Sequence, residues 1–266
     1  MHQLIQPVNT VLTRMLPPVN SAIIINNVKI QNLHAWQISV AEAKQIQLEL
    51  AGQVSRQNET IKPRFIAGVD ISAPDSTGIA RAAAIILSYP ELQVIEVKTA
   101  EDKLNFPYIP GLLSFREIPL ILAACHKLSI NPDLIVADGQ GIAHPRRFGI
   151  ASHLGLLLDI PSIGCAKSRL CGTHSPVNDE AGDYAELTDN GEIIGVALRS
   201  KVDANPIYIS IGHRIDLPAA IHWVMKCCRG YRLPEPSRLA HLAASGKSMT
   251  VVSNRQKRLP VNQLLQ

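Results

Sequence analysis

The chain has 266 residues, 46% of them hydrophobic, enough to fill the core of one large domain or two small ones, which excludes disorder as its default state. A formal net charge of +4 and an isoelectric point near 8.8 are compatible with a polyanionic partner without requiring one, and 4% aromatic residues are too few for an extended base-stacking platform. Five cysteines, odd in number and without a paired CxxC spacing, argue against a disulfide framework, and Cys165, Cys171 and His174 are a weak case for a soft-metal site because cysteine is so often simply buried.

No stretch of roughly 18 apolar residues occurs, and no basic segment followed by a long apolar core opens the chain, so a cytoplasmic protein with reduced thiols and no membrane association is expected. Residues 1–32 read as an N-terminal arm, with Pro17-Pro18, many Asn and Gln, and only the run Ala22–Ile25 to bury, either flexible or covering a sheet edge. The segment 39–56 spaces Ile46, Leu50 and Val54 four apart on one helical face, with Ser39 as N-cap and Glu42 completing a capping box. Three extended segments follow, 65–72, 79–88 and 92–99, the last two joined by a turn at Tyr89-Pro90-Glu91, and an antiparallel meander is their simplest layout. A helix over 115–128, a break at Asn131-Pro132, a buried strand ending at Asp138, a short helix over 151–159 and a strand over 162–166 come next. Strands at 193–198 and 207–211 and helices near 219–227 and around His241 complete the body, and the basic tail 246–266, with Lys247, Arg255, Lys257 and Arg258, is expected to be mobile. Nothing in composition splits residues 33–245, so the predicted architecture is a single α/β domain, a mixed sheet flanked by helices, in which the first and fourth strands of the body can lie side by side.

The sharpest local signal is LIVADGQGIAHPRRFG, from Leu134 to Gly149. An apolar run of buried-strand length stops at Asp138, and ligands bind at that edge of open α/β sheets. Gly139 and Gly141 allow close backbone approach, while His144, Arg146 and Arg147 bring donors and positive charge to the rim. Asp70 sits inside the apolar strand FIAGVDI, an expensive placement unless a cation or hydrogen bonds compensate it. With Glu117 at the opening of a helix, three carboxylates are available for metal-assisted phosphodiester chemistry, and hard oxygen ligands without a thiolate cluster favour Mg²⁺, with Mn²⁺ as substitute. Helix capping explains Glu117 equally well, a solvated strand end explains Lys167, and a core or capping role explains His241. In NFPYIPGLLSFRE, Pro107 and Pro110 stiffen a loop around Tyr108 and Ile109, which either wedges between stacked bases or folds back on the core.

AGVDIS around Asp70, PYIPGLLSFRE and DGQGIAHPRRFGIASHLG together resemble the signature blocks of the endonuclease V family, in that family's order, and the likeness spans roughly Leu33 to Ser245. The resemblance implies a ribonuclease H-like fold and a nuclease acting on deoxyinosine in DNA, cutting the second phosphodiester bond 3′ to the lesion and leaving 3′-hydroxyl and 5′-phosphate ends. By the same resemblance Asp70, Asp138 and Glu117 bind Mg²⁺, His241 helps position ion or water, Lys167 stabilises charge on phosphate, and Tyr108 fills the gap left by the extruded base. Gly111, Leu113, Gly141, Gly149 and Ile150 line the hypoxanthine pocket in this reading, Gln140 occupies a position where such loops vary, and the protein acts as a monomer. Two alternatives stay open, an endoribonuclease for inosine-containing RNA on the same fold and a nucleic-acid-binding protein that has lost catalysis.

Overall fold

The structure, a computed structural model, describes residues 21–25, 28–59 and 62–252. β1 (Ser21–Ile25) and β2 (Val28–Asn32) form a two-stranded antiparallel ribbon, so the expected arm is paired from Ser21 onward, and its first twenty residues lie outside the described ones. The helix α1 (Val40–Ala51) begins at the predicted capping box, with the Ser39 hydroxyl accepting from Glu42 N and the Glu42 carboxylate accepting from Ser39 N. Of the predicted stripe, Leu50 and Val54 are buried in the core and Ile46 packs against it half-buried, while Ala43 and Gln47 are buried beside them.

The meander is present: β3 (Phe65–Ile71), β4 (Ile79–Ser88) and β5 (Val94–Lys103) pair antiparallel in sequence order. The chain then runs α2 (Leu113–Cys125), β6 (Leu134–Asp138), α3 (Ile150–Leu158), β7 (Ser162–Ala166), β8 (Tyr184–Asp189), β9 (Glu192–Leu198), β10 (Ile207–His213), α4 (Leu217–Lys226) and α5 (Glu235–Ala244). One eight-stranded mixed sheet, in the order β5-β4-β3-β6-β7-β10-β9-β8, carries helices on both faces, as the sequence predicts for a single α/β domain. Sequence reading leaves out β8, whose YAELTD buries only Ala185 and Leu187 and takes its place by pairing with β9 at the sheet edge.

Side-chain parity along the central strands builds the two cores. Ile66 of β3 and Leu134 and Val136 of β6 face a layer that includes Ala240, Ala243 and Ala244 of α5, while Ala67, Val69, Ile135 and Ala137 face α2 and α3. The tail does not leave the body at Gly246, since residues 247–252 remain described and the Val252 amide donates to the Val94 carbonyl of β5 (2.8 Å). Arg255, Lys257 and Arg258 lie outside the described residues. Among the described residues no helix is long and apolar enough to cross a membrane.

Candidate active site

β3 and β6 run parallel with Val69 opposite Ala137, so the next residue of each strand, Asp70 and Asp138, reaches the same edge of the sheet side by side. Parity puts both carboxylates on the α5 face. There Gly68 is what lets α5 descend: a Cβ at that position would lie 2.0 Å from the Pro236 carbonyl oxygen. The close approach places His241, less than two turns further along α5, with Nδ1 at 2.8 Å from Asp70 Oδ2, while Asp70 Oδ1 accepts from the Ile71 amide (2.7 Å). Lys167, immediately after β7, places Nζ on Asp138 Oδ2. Glu117 arrives from α2, on the opposite face of the sheet, and closes the cluster over the strand ends. The helix begins at Leu113, so Glu117 lies in its second turn, which removes the capping explanation for this carboxylate.

The electrostatics follow from this crowding. Burial, then the Asp138 charge, raises Asp70 to about 6 against the pull of His241, the Ile71 amide and Lys167. Burial also raises Glu117 to about 7, with Asp70 and Asp138 adding to it and Arg116 opposing. Burial would lower Lys167, but the Asp138 carboxylate outweighs it and holds the ammonium above its ordinary value. Among the described residues, Asp70, Asp138 and His241 are the one group of three or more acidic, imidazole or thiol side chains whose donor atoms all lie within 4.8 Å of one another. Oxygen donors with a single imidazole, and Asp70 and Glu117 raised by burial and then by neighbouring carboxylate charge, fit a hard divalent cation; Cys165, Cys171 and His174 form no such group.

Asp70, Glu117, Asp138 and Lys167 line a cleft of 540 Å³ whose other walls come from the Tyr108 loop, the N-terminus of α2, the 139–150 segment and residues 166–170, and His241 reaches the cluster through Asp70. Tyr108 is 69% exposed and Pro107 and Pro110 are exposed beside it, whereas Phe106 turns inward onto Leu112 and Phe115, and Ile109 is half-buried against the same cluster. One aromatic of the loop folds back and the other stands out. Gly111, Leu113, Gly149 and Ile150 line the cleft as expected of pocket residues. Gly141 does not, because it is packed so tightly on β10 that a Cβ would meet the Ile211 carbonyl at 1.9 Å; of the Gly139–Gly141 pair it is Gly139, with φ of +143°, that lines the cleft.

The predicted basic rim divides. His144 lines the cleft but is 2% exposed, and burial, offset by its contact with the Gly111 carbonyl and reinforced by Arg146 and Arg147, lowers it to about 4, so it is a neutral ring at pH 7. Arg146 bonds Gln47 and Gly111, and Arg147 is held by Asp189 and Glu192 of the β8–β9 hairpin, away from the cleft. The cations on the cleft wall are Lys167 and Arg169. Arg169 was not foreseen, and neither were Gln47, Ser114 and the role of Gln140, whose Nε2 braces the Ser168 carbonyl beneath Arg169. For Gln47 a signal existed, an amide on an otherwise apolar helical stripe; the others have none that a single sequence displays.

The endonuclease V family model matches residues 48–242. The chain belongs to the endonuclease V family. It is 52% identical over 219 residues to the endonuclease V of Dehalococcoides mccartyi (strain BAV1), covering 82% of this chain and 98% of that one. The crystal structure of endonuclease V from Streptomyces avermitilis superposes with a TM-score of 0.76 at 39% identity, covering 80% of this chain and 94% of that one. Ciona intestinalis endonuclease V, solved in complex with a 24mer DNA containing an inosine followed by a ribo-adenosine, superposes with a TM-score of 0.66 at 28% identity, over 78% of this chain and 96% of that one. The endonuclease V match begins within α1 and ends one residue after His241, so it encloses every group of the carboxylate cluster.

Proposed function

We propose that this endonuclease V is a divalent-metal-dependent nuclease that recognises deoxyinosine in DNA and hydrolyses the second phosphodiester bond on its 3′ side. The observation that carries the reading is the convergence of Asp70, Glu117, Asp138 and Lys167 in one cleft that Tyr108 also lines, with His241 bonded to Asp70. Asp70, Asp138 and Glu117 would hold Mg²⁺ or Mn²⁺, with His241 fixing the Asp70 carboxylate from the exposed side. When bound there, such an ion polarises a phosphate oxygen and lowers the pKa of water. In the hydrolysis the water oxygen joins phosphorus, the bond from phosphorus to O3′ breaks, and the proton ends on O3′, giving 3′-hydroxyl and 5′-phosphate. Lys167 offers its ammonium to the charge that grows on phosphate, because Asp138 orients it and keeps it protonated. Tyr108 would fill the gap left by an extruded base, and Gly111, Leu113, Gly149 and Ile150 would receive that base, a reading supported by their lining one cleft together with the neutral ring of His144.

Incubating the monomeric protein with end-labelled duplex carrying one inosine, with Mg²⁺ and with Mn²⁺, tests the reading: a nick one nucleotide beyond the lesion's 3′ neighbouring bond is expected, and no nick with either ion refutes it. A second reading, inosine-containing RNA as substrate, is favoured by the ribonucleotide beside inosine in the Ciona complex. Matched DNA and RNA oligonucleotides separate the two by rate.

A further inference from the structure

Gln47 is an amide where the stripe of α1 otherwise buries apolar side chains, and it is 1% exposed. Its hydrogen bonds reach separate segments: Nε2 donates to the carbonyls of Gly111 and Phe148, both at 3.0 Å, and Oε1 accepts from Arg146 Nε at 2.6 Å. Two carbonyls require donors and a guanidinium requires an acceptor, so a single orientation of the amide satisfies all three. Gly111 closes the loop that carries Tyr108, and Phe148 precedes Gly149, the N-cap of α3; both glycines line the cleft. The Gly111 carbonyl also accepts from His144 Nε2 and Arg146 Nη2, each at 2.9 Å, and Gly111 itself has φ of +79°, a conformation that needs such restraint.

We propose that Gln47 is a positioning residue for base extrusion, a joint that locks the Tyr108 loop to the wall receiving the extruded base so that the two act as one body; this rests on the inosine-nuclease reading above. An aromatic side chain holds a duplex gap open only if its loop does not yield when the stack presses back. Phe106 anchors the start of that loop by packing on Leu112 and Phe115, and the Gln47 amide anchors its end. Without Gln47 the Gly111 carbonyl of the loop and the Phe148 carbonyl and Arg146 Nε of the wall segment all lose their bond to α1. On a single strand there is no stack to hold apart, so the joint matters much less there.

The test compares kcat/KM on an inosine duplex with kcat/KM on the same oligonucleotide single-stranded, for the full-length protein and for Gln47→Leu and Gln47→Glu. In both variants the duplex-to-single-strand ratio is expected to fall about tenfold, the scale on which small misplacements act. A purely structural role would reduce the active fraction, lower both rates by one factor and leave the ratio unchanged, and that outcome overturns the proposal. If Gln47→Leu melts below the assay temperature, Gln47→Glu decides, since it keeps the side-chain length and an acceptor for Arg146 while losing both donated bonds. Unmodified protein that cuts neither substrate would instead remove the nuclease reading, a result visible before any variant is assayed.

Discussion

Replacing Gly68 by alanine places a methyl group where the backbone of α5 already lies. The added Cβ would sit 2.0, 2.5 and 2.9 Å from the oxygen, carbonyl carbon and Cα of Pro236, and none of these is the tip of a flexible side chain. Ordinary contact needs more than about 3.4 Å, so α5 must retreat by about 1 Å or β3 must bend, at an overpacking cost of about 1–3 kcal/mol. The 2.8 Å contact between His241 and Asp70 depends on the same approach and would stretch beyond hydrogen-bonding range. Loss of geometry on that scale costs up to about 10²-fold in rate. Denaturant unfolding should therefore register a modest destabilisation, and nicking of inosine duplex at saturating Mg²⁺ a much larger fall in kcat. If the effect runs through His241, Gly68→Ala should cost far less in a His241→Ala background than in the unmodified protein. Full additivity of the two changes, or a Gly68→Ala enzyme within about twofold of normal kcat, would refute the link between this glycine and the imidazole.

Asp138→Asn should depress nicking by about 10³-fold while leaving duplex retention in a gel-shift assay intact, because it removes charge at the cleft and loosens Lys167 without touching the Tyr108 loop. Arg169, exposed on the cleft wall, makes no ion pair or hydrogen bond among the described residues, so Arg169→Ala should weaken binding of any sequence alike and lower the slope of log Kd against log salt by about 1. His34 and His153 share a buried contact between their Nε2 atoms (2.7 Å), and burial lowers both, His153 with help from His34, while the Ala35 carbonyl partly offsets it at His34. Their folded-state values lie below that of the unfolded chain, so their contribution is complete above about pH 6.5 and is lost as the unfolded state takes up protons that the native one refuses. Unfolding free energies should show the normal protein losing stability against His153→Leu as pH falls, approaching about 1.4 kcal/mol per pH unit below pH 6, and a flat difference would count against the buried neutral pair.

How far the site was legible depends on whether the relevant contact is local. Asp70 and Asp138 declare themselves because each is a charge at the end of an apolar strand, and parallel pairing of β3 with β6 follows from the order of elements. Tyr108 was legible through its flanking prolines, although the sequence alone does not say which of Phe106 and Tyr108 turns inward; Phe106 does, because Leu112 and Phe115 offer it a cluster. Arg147 misleads because its partners, Asp189 and Glu192, are more than forty residues away on a hairpin whose first strand is too polar to stand out. Glu117 misleads by two residues of helix, since α2 starts at Leu113 without a side-chain cap to announce it. Gly68 was not singled out by the sequence, and its contact with Pro236, far along the chain, gives it its packing role.

The same distinction governs charge. A net charge of +4 is compatible with a polyanionic partner, yet the cleft gathers Asp70, Glu117 and Asp138 against Lys167 and Arg169, the latter unpaired among the described residues, while Arg146 and Arg147 are turned to Gln47, Asp189 and Glu192. Asp70 and Glu117 are raised by burial and then by neighbouring carboxylate charge, and acids gathered this closely repel a phosphate as well as each other, most strongly in a partly dehydrated cleft. A phosphodiester therefore approaches this end of the sheet favourably only when added positive charge sits among the three acids, which is what makes the donor set suitable for a divalent ion and unsuitable for a simple anion-binding surface. Binding of non-specific duplex should accordingly tighten when Mn²⁺ is added to the normal protein, and should respond much less in Asp138→Asn, where part of the repulsion is already gone.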